Sequence, residues 1–190
     1  MAGSNQDNGH EVARYFVFMG VSGVGKSTVA TAMAARFGGS MIEADDLHSP
    51  DNIKAMSQGR PLTDAERWPW LRAVCRSAQD SAPPVMIACS ALRLIYRDFI
   101  RSMLEDVVFL HLSGSQDLIH RRMAGRTSHF MPPAMLQSQI SILEVPAGEP
   151  RCHSIDISGP QDDVIARAET ICRQYLAGQA GATTGADRKR

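Results

Sequence analysis

Residues 18–30, FMGVSGVGKSTVA, decide the fold of this 190-residue chain. They place three glycines, a lysine and several hydroxyl residues in a short turn between two apolar runs. Within them, residues 20–27 match the pattern G-x-x-x-x-G-K-[S/T] at every specified position. Glycines permit backbone conformations in which successive N–H groups point at phosphate oxygens, and the helix that follows presents its positive end to the same anion. The segment therefore predicts a loop that holds a polyphosphate.

Every residue of this loop is a predicted nucleotide contact. The set is Gly20, Val21, Ser22, Gly23, Val24, Gly25, Lys26, Ser27 and Thr28. Lys26 is expected at the terminal phosphates and the Ser27 hydroxyl at Mg²⁺. The alternative is a glycine-rich turn that only joins a strand to a helix. We favour the nucleotide site, because an apolar β-rich run precedes the pattern and a periodic helix follows it.

Composition limits the other classes of function. The chain is 44% hydrophobic, which suits one compact domain, and its 20 basic residues balance 20 acidic ones. We therefore expect no binding to nucleic acid or to an anionic membrane. The four cysteines form no C-x-x-C pair, and neither a secretion signal nor a long apolar run is present. These features predict reduced thiols and a cytoplasmic protein.

Short apolar runs alternate with longer segments of helical period, which is typical of a parallel sheet covered by helices. Predicted strands cover residues 15–19, 40–44, 85–89, 107–112 and 154–158, and predicted helices cover 26–37, 49–59, 61–81, 93–105, 115–125, 134–144 and 161–177. Thr63 and Glu66 have capping-box spacing, and Pro69 is expected in the first turn of that helix. The predicted fold is α/β, a three-layer αβα P-loop NTPase fold with a parallel sheet of about five strands and a mobile lid. Residues 14–176 form the predicted kinase domain, between disordered segments at 1–13 and 177–190.

A phosphate loop serves switches, motors and small-molecule kinases. Guanine switches read their base with an asparagine-lysine pair and a following aspartate, and this sequence lacks that motif. Residues 156–159, DISG, resemble a D-x-x-G switch segment, but they lie in the last predicted strand and are better interpreted as a strand end and turn. The remaining residues favour a kinase.

Acidic residues follow the second predicted strand, where ligands of parallel sheets bind. They are Glu43, Asp45 and Asp46, with His48 close behind. In an extended segment, Glu43 and Asp45 would lie on the same side. A solvated loop with helix-capping aspartates is the competing interpretation. His48 fits either a structural hydrogen bond or a substrate contact.

Arginines precede a polar stretch late in the chain. Arg121, Arg122 and Arg126 are placed as expected for a lid, about residues 121–133, that closes over ATP and neutralises the transferred phosphoryl group. A solvated helix face explains the same residues on composition alone. Their order along the chain favours the lid.

Four motifs together make the chain similar to a known family. They are GVSGVGKST (20–28), DDLHSPDNIKAMSQGRPLTDAERWPWL (45–71), ACSALRLIYRDFIR (88–101) and SHFMPPAMLQSQISILEVP (128–146). From Phe16 to Tyr175 the chain resembles the thermoresistant gluconokinases, relatives of shikimate kinase. The resemblance implies phosphoryl transfer from ATP to the 6-hydroxyl of D-gluconate, with Mg²⁺ as cofactor and a homodimer as the assembly. A regulatory protein that binds nucleotide without transfer is the alternative from another class.

The resemblance also implies roles for individual residues. Asp45 holds or deprotonates the acceptor hydroxyl, with His48 near the substrate, and Arg67 and Arg97 bind the carboxylate of the sugar acid. Catalysis is assigned to Lys26, Asp45 and Arg126.

Arg122 and Arg126 match the family's lid arginines, whereas Arg121 is expected to be a surface charge. The strand at 85–89 runs into Ser90 and supplies no aspartate for Mg²⁺, so Glu43 is the expected support for the metal. The chain departs from many relatives at Ala44 and at Thr127–Ser128.

Overall fold

The computed structural model describes residues 13–124 and 133–177. Five strands are present in them, β1 (Tyr15–Met19), β2 (Ser40–Glu43), β3 (Val85–Ala88), β4 (Val107–Ser113) and β5 (Cys152–Asp156). The helices are α1 (Lys26–Phe37), α2 (Pro50–Ser57), α3 (Asp64–Gln79), α4 (Leu94–Met103), α5 (Gln116–Ala124), α6 (Pro133–Ile142) and α7 (Gln161–Leu176), with a 3₁₀ turn at Ala44–Leu47. The order agrees with the alternation predicted from the sequence.

All strand pairings are parallel, and the order across the sheet is β2-β3-β1-β4-β5. Tyr15 of β1 is in register with Val85 of β3 on one side and with Val107 of β4 on the other. The loop after β1 therefore leaves from the middle of the sheet, at the edge where all five strands end. Crevices at this edge are the usual ligand sites of open parallel sheets.

Helices cover both faces of the sheet. Phe16 and Phe18 point into a core shared with α1 and α7, whereas Tyr15, Val17 and Met19 point into a second core shared with α3 and α4. All five residues of β1 are buried, as expected for a central strand with apolar packing on both sides. The predicted three-layer fold is confirmed.

Two details differ from the sequence-based expectation. Strand β5 begins at Cys152, two residues earlier than predicted, because the strand is defined by its pairing with Phe109–Ser113 and not by its alternation of apolar residues. Pro69 is the sixth residue of α3, outside the first turn, since the Thr63 capping box starts the helix at Asp64. The capping box itself and the turn after Asp156 are as predicted.

In the residues described, no helix combines the length and the apolar character needed to cross a bilayer.

Candidate active site

The predicted phosphate loop connects β1 to α1. Gly20 has φ +133°, and a Cβ atom there would lie 2.6 Å from the carbonyl oxygen of Leu112, so the position requires glycine on both counts. Its N–H donates to the Ser90 carbonyl at 3.2 Å. The start of the loop is thereby fixed against the ends of β3 and β4.

The other end of the loop forms the N-terminus of α1. Gly25 is the N-cap residue with φ +96°, and no side chain caps the helix. The first-turn N–H groups of an uncapped helix attract anions, and the exposed Ser27 hydroxyl lies in that turn. This is the geometry on which the predicted phosphate site depends.

The peptide group between Val21 and Ser22 forms hydrogen bonds with two side chains. The carbonyl oxygen of Val21 accepts a hydrogen bond from Lys26 Nζ at 3.2 Å. The N–H on the other side of the same peptide group, that of Ser22, donates to Gln139 Oε1 at 2.6 Å. Gln139 belongs to α6, and sequence reasoning assigned it no role, because a contact across 117 positions leaves no local signal.

The acidic residues after β2 lie at the same edge of the sheet. Glu43 ends β2, whereas Asp45 lies in the 3₁₀ turn, so the alternation of an extended segment does not place the two together. The Asp45 carboxylate is 67% exposed. The indole N–H of Trp70 donates to the Ala44 carbonyl at 2.6 Å and so attaches this turn to α3.

His48 is buried and stacks on Trp70, with ring centroids 4.3 Å apart. The side-chain Nδ2 of Asn52 donates a hydrogen bond to the Glu66 carbonyl. The same Nδ2 also lies 3.5 Å from His48 Nδ1. A donor at Nδ1 leaves the imidazole proton on Nε2, which is 3.9 Å from Asp45 Oδ1. Burial lowers the pKa of His48, although Asp45 acts in the opposite direction. The ring thus lies next to the Asp45 carboxylate, at a distance too long for a direct hydrogen bond.

Cys89 follows β3 at the same edge of the sheet. Its thiol is buried at the end of β3, and burial raises its pKa to about 12. Asp45 and Lys26 also act on the pKa of this thiol, in opposite directions. Both charges therefore lie within electrostatic reach of Cys89, although 19 positions of sequence separate them.

Arg67 lies on α3, and its side chain contacts α4. Its guanidinium donates to the Tyr96 hydroxyl at 3.0 Å, and the side chain is 17% exposed. Tyr96 in turn donates to Asp64, which also binds Arg93. These hydrogen bonds, from Tyr96 first and then Arg93, hold the pKa of Asp64 below its usual range. The charge of Arg67 also contributes to the lowered pKa of His48.

Arg97 does not fit its predicted role. Its side chain is 1% exposed, and its guanidinium binds Glu149 as well as the Ala91 and Glu144 carbonyls. Burial alone would raise the pKa of Glu149, but hydrogen bonds from Arg97 and Arg101 hold it below its usual value. A guanidinium engaged in this way is not available to a substrate carboxylate. We assign Arg97 to holding the loop after β3.

Of the predicted lid arginines, Arg122 is partly buried and donates to the Ile157 carbonyl at 2.8 Å. It lines a cavity of about 260 Å³ beside the phosphate loop, together with Thr28 and Gln161. Arg121 is exposed on α5, as expected for a surface charge. Arg126 and Thr127–Ser128 lie outside the described residues, as does most of the predicted lid. Sequence reasoning did not identify Gln161.

No cluster of three or more histidine, cysteine or acidic side chains that could hold a metal is found in residues 13–124 and 133–177. Mg²⁺ binds proteins through one or two oxygen ligands plus substrate phosphates and water, so it needs no such cluster. The exposed Ser27 hydroxyl and the partly exposed Glu43 carboxylate are oxygen donors of the right type. These residues fit Mg²⁺ that arrives with a nucleotide.

Comparison with known proteins gives a consistent result. A family model described as an AAA domain matches residues 16–146. A gluconokinase of Gluconobacter oxydans is 40% identical over 86% of this chain and 92% of its own. The crystal structure of a gluconokinase from Sinorhizobium meliloti 1021 is 44% identical, with a TM-score of 0.74 over 90% of this chain and 94% of that one.

A shikimate kinase from Acinetobacter baumannii, 14% identical with a TM-score of 0.55 over 89% of this chain and 96% of that one, shares the fold. At 40% identity over most of both chains, similarity extends well beyond the phosphate loop. The chain belongs to the gluconokinase family of P-loop kinases.

Proposed function

We propose that this protein is an ATP-dependent gluconokinase that transfers the terminal phosphoryl group of ATP to the 6-hydroxyl of D-gluconate. The products are 6-phospho-D-gluconate and ADP, which would feed the pentose phosphate or Entner-Doudoroff route. The observation that carries the proposal is the phosphate loop between β1 and the uncapped N-terminus of α1, in a chain that is 40% identical to a gluconokinase of Gluconobacter oxydans over 86% of its length. Asp45, which is exposed in the turn after β2 at the same edge of the sheet, is a carboxylate of the type that transfer to an alcohol uses.

In the proposed reaction, one set of residues binds the nucleotide phosphates and another binds the acceptor hydroxyl. The loop N–H groups and the N-terminus of α1 hold the phosphates, and Lys26 compensates the charge of the terminal ones. Asp45 accepts a hydrogen bond from the 6-hydroxyl of gluconate and aligns its oxygen with the terminal phosphorus. As the new O–P bond forms, the bond to the bridging oxygen of ADP breaks, and the hydroxyl proton passes to Asp45.

Arg67 is the proposed ligand of the gluconate carboxylate. It is partly exposed, and contacts with Tyr96 and Asp64, both made by Nη1, orient its guanidinium. A planar guanidinium can bind a carboxylate through two parallel hydrogen bonds. His48, whose Nε2 lies 3.9 Å from Asp45 Oδ1, is proposed to help position the Asp45 carboxylate.

Ser27 would hold Mg²⁺, with Glu43 acting through water. When bound, the ion supplies positive charge that offsets the developing negative charge on the phosphates. Arg122, and Arg126 by family resemblance, are proposed to act on the phosphates in the same sense.

We further propose that the protein is a cytoplasmic homodimer that binds neither nucleic acid nor membranes. The balanced charge of the chain supports the absence of nucleic-acid and membrane binding. Cys75, Cys89, Cys152 and Cys172 are all free thiols, which supports a reducing compartment. The dimer is inferred from the family resemblance, and sedimentation would test it.

A coupled assay of ADP release tests the proposed reaction. Gluconate should stimulate ADP formation far more than shikimate, a nucleoside monophosphate or no acceptor. Phosphorus NMR of the product should show a phosphate monoester on carbon 6. If ATP binds but no acceptor stimulates turnover, the protein is instead a nucleotide-dependent regulatory protein.

A further inference from the structure

We propose that Gln139 binds the terminal phosphate of ATP, with its amide oxygen anchored on the phosphate loop and its amide NH₂ group donating to the nucleotide. The proposal rests on the ATP-dependent phosphoryl transfer proposed above and adds a ligand from α6. It assigns this helix a part in distinguishing ATP from ADP.

The orientation of the Gln139 amide follows from its partner. The N–H of Ser22 can only donate, so the atom 2.6 Å from it must be the amide oxygen. The amide nitrogen, attached to the same carbon, then faces away from Ser22 with two N–H groups. In residues 13–124 and 133–177, no hydrogen-bond acceptor for this nitrogen is seen.

The position of the amide follows from the peptide group that it contacts. N–H groups of a phosphate loop point at the bound anion, so a side chain that accepts from Ser22 N–H stands at the edge of the phosphate site. The carbonyl of that peptide group accepts from Lys26 Nζ at 3.2 Å. Since this lysine reaches the terminal phosphates, Gln139 is adjacent to the terminal end of the nucleotide.

The surroundings fix Gln139 in this position. It is partly buried on α6, whose Leu136 is 1% exposed and whose Ile140 packs against the core shared with α1 and α7. The helix is thereby attached to the same core as the phosphate loop. A neutral amide held there contributes N–H donors to the dianionic terminal phosphate without repelling it.

Two substitutions distinguish the role of the amide oxygen from that of the amide nitrogen. Gln139→Glu keeps an oxygen acceptor for the Ser22 N–H but replaces the NH₂ donor by a second oxygen of a negatively charged carboxylate. Gln139→Met removes both the acceptor and the donor. Gln137→Glu is the matched control, because Gln137 is exposed on the same helix and gives the chain the same added charge.

Binding of Mg·ADP and of the non-hydrolysable analogue Mg·AMP-PNP is measured by calorimetry on the full chain. We expect Gln139→Glu and Gln139→Met to weaken AMP-PNP by ~10- to 100-fold, the loss typical of a hydrogen bond to a charged group, and to leave ADP within about threefold. Gln137→Glu should leave both affinities unchanged. Retained ADP binding shows that each variant is folded.

Two results would overturn the proposal. Wild-type affinity of Gln139→Glu for AMP-PNP would mean that only the bond to Ser22 matters. Tighter binding of both nucleotides to Gln139→Met would mean that Gln139 merely fills the empty loop and must leave when nucleotide enters. Neither readout involves gluconate, so a failure of the proposed acceptor would appear separately, as absent gluconate turnover by the wild-type protein.

Discussion

The indole N–H of Trp70 donates to the carbonyl oxygen of Ala44 across 2.6 Å, and this bond ties α3 to the turn that carries Asp45. The same indole ring stacks on His48, whose Nε2 lies 3.9 Å from Asp45 Oδ1. The Trp70 side chain thus contacts both His48 and the turn that carries Asp45. The Asp45 carboxylate is exposed, although the turn that carries it is attached to α3.

Replacing Trp70 by Phe removes the donor to Ala44 while keeping an aromatic ring beside His48. We expect the free energy of unfolding to fall by about 1–3 kcal/mol, because the Ala44 carbonyl loses its partner in a buried setting. We also expect kcat for gluconate to fall, since the turn that carries Asp45 is released. Trp68→Phe is the control: Trp68 packs on Tyr96 and Phe99, whereas the bond to the Ala44 carbonyl comes from Trp70. Equal loss of kcat in both variants would contradict this assignment.

Asp45→Asn should lower kcat by ~10²–10⁴, the usual contribution of a general base, while Mg·ATP still binds. The amide keeps the shape of the side chain but cannot accept the hydroxyl proton. Asp46→Asn is the matched control, because Asp46 is the adjacent exposed acid on the same turn. It should retain nearly full activity. Steady-state kinetics combined with calorimetric ATP binding distinguishes the two, and normal turnover by Asp45→Asn would exclude this carboxylate from the mechanism.

Arg67 and Arg97 should respond differently to the same change. Arg67→Met is expected to raise the KM for gluconate by about 10- to 100-fold, through loss of a charge-assisted hydrogen bond. Arg97→Met should instead lower the free energy of unfolding by about 3–5 kcal/mol, because the mostly buried Glu149 keeps only Arg101 and the Ala91 and Glu144 carbonyls lose their donor. Urea unfolding and gluconate kinetics measure the two effects. A raised KM in a stably folded Arg97 variant would restore Arg97 as a substrate ligand.

Protonation of His111 should destabilise the protein below neutral pH. The ring is 3% exposed, its Nδ1 finds no hydrogen-bond partner among residues 13–124 and 133–177, and burial first and Arg97 second lower its pKa. The unfolded chain, with a histidine pKa near ~6.5, then binds more protons than the folded one, so the free energy of unfolding falls as pH drops below that value.

We therefore expect stability to be level between pH 7.5 and 6.5 and to decline toward pH 5.5. In His111→Gln this decline should be shallower, by at most about 1.4 kcal/mol per pH unit. Carboxylates such as Asp64, whose pKa is also lowered, contribute only at more acidic pH. Urea titrations at several pH values provide the test, with exposed His120→Gln as the control. An unchanged slope in His111→Gln would show that this ring does not control the pH dependence.

Sequence alone determined the parts of this protein that depend on local chemistry. The glycine pattern requires backbone conformations that other residues reach poorly, and the run of apolar residues at Tyr15–Met19 requires a strand covered on both faces. The Thr63 capping box was likewise recognised from its spacing and is present at the start of α3. Each of these signals lies within a few residues of the structure that it specifies, and so can be recognised without knowledge of distant contacts.

The tertiary structure decided which charged side chains reach the site. Arg67 and Arg97 both lie on helices, yet packing leaves the Arg67 side chain 17% exposed and buries Arg97 against Glu149. The contact of Gln139 with Ser22 joins residues 117 positions apart. Whether a side chain faces a pocket or a buried partner depends on how helices dock on the sheet, and that docking is a property of the whole core.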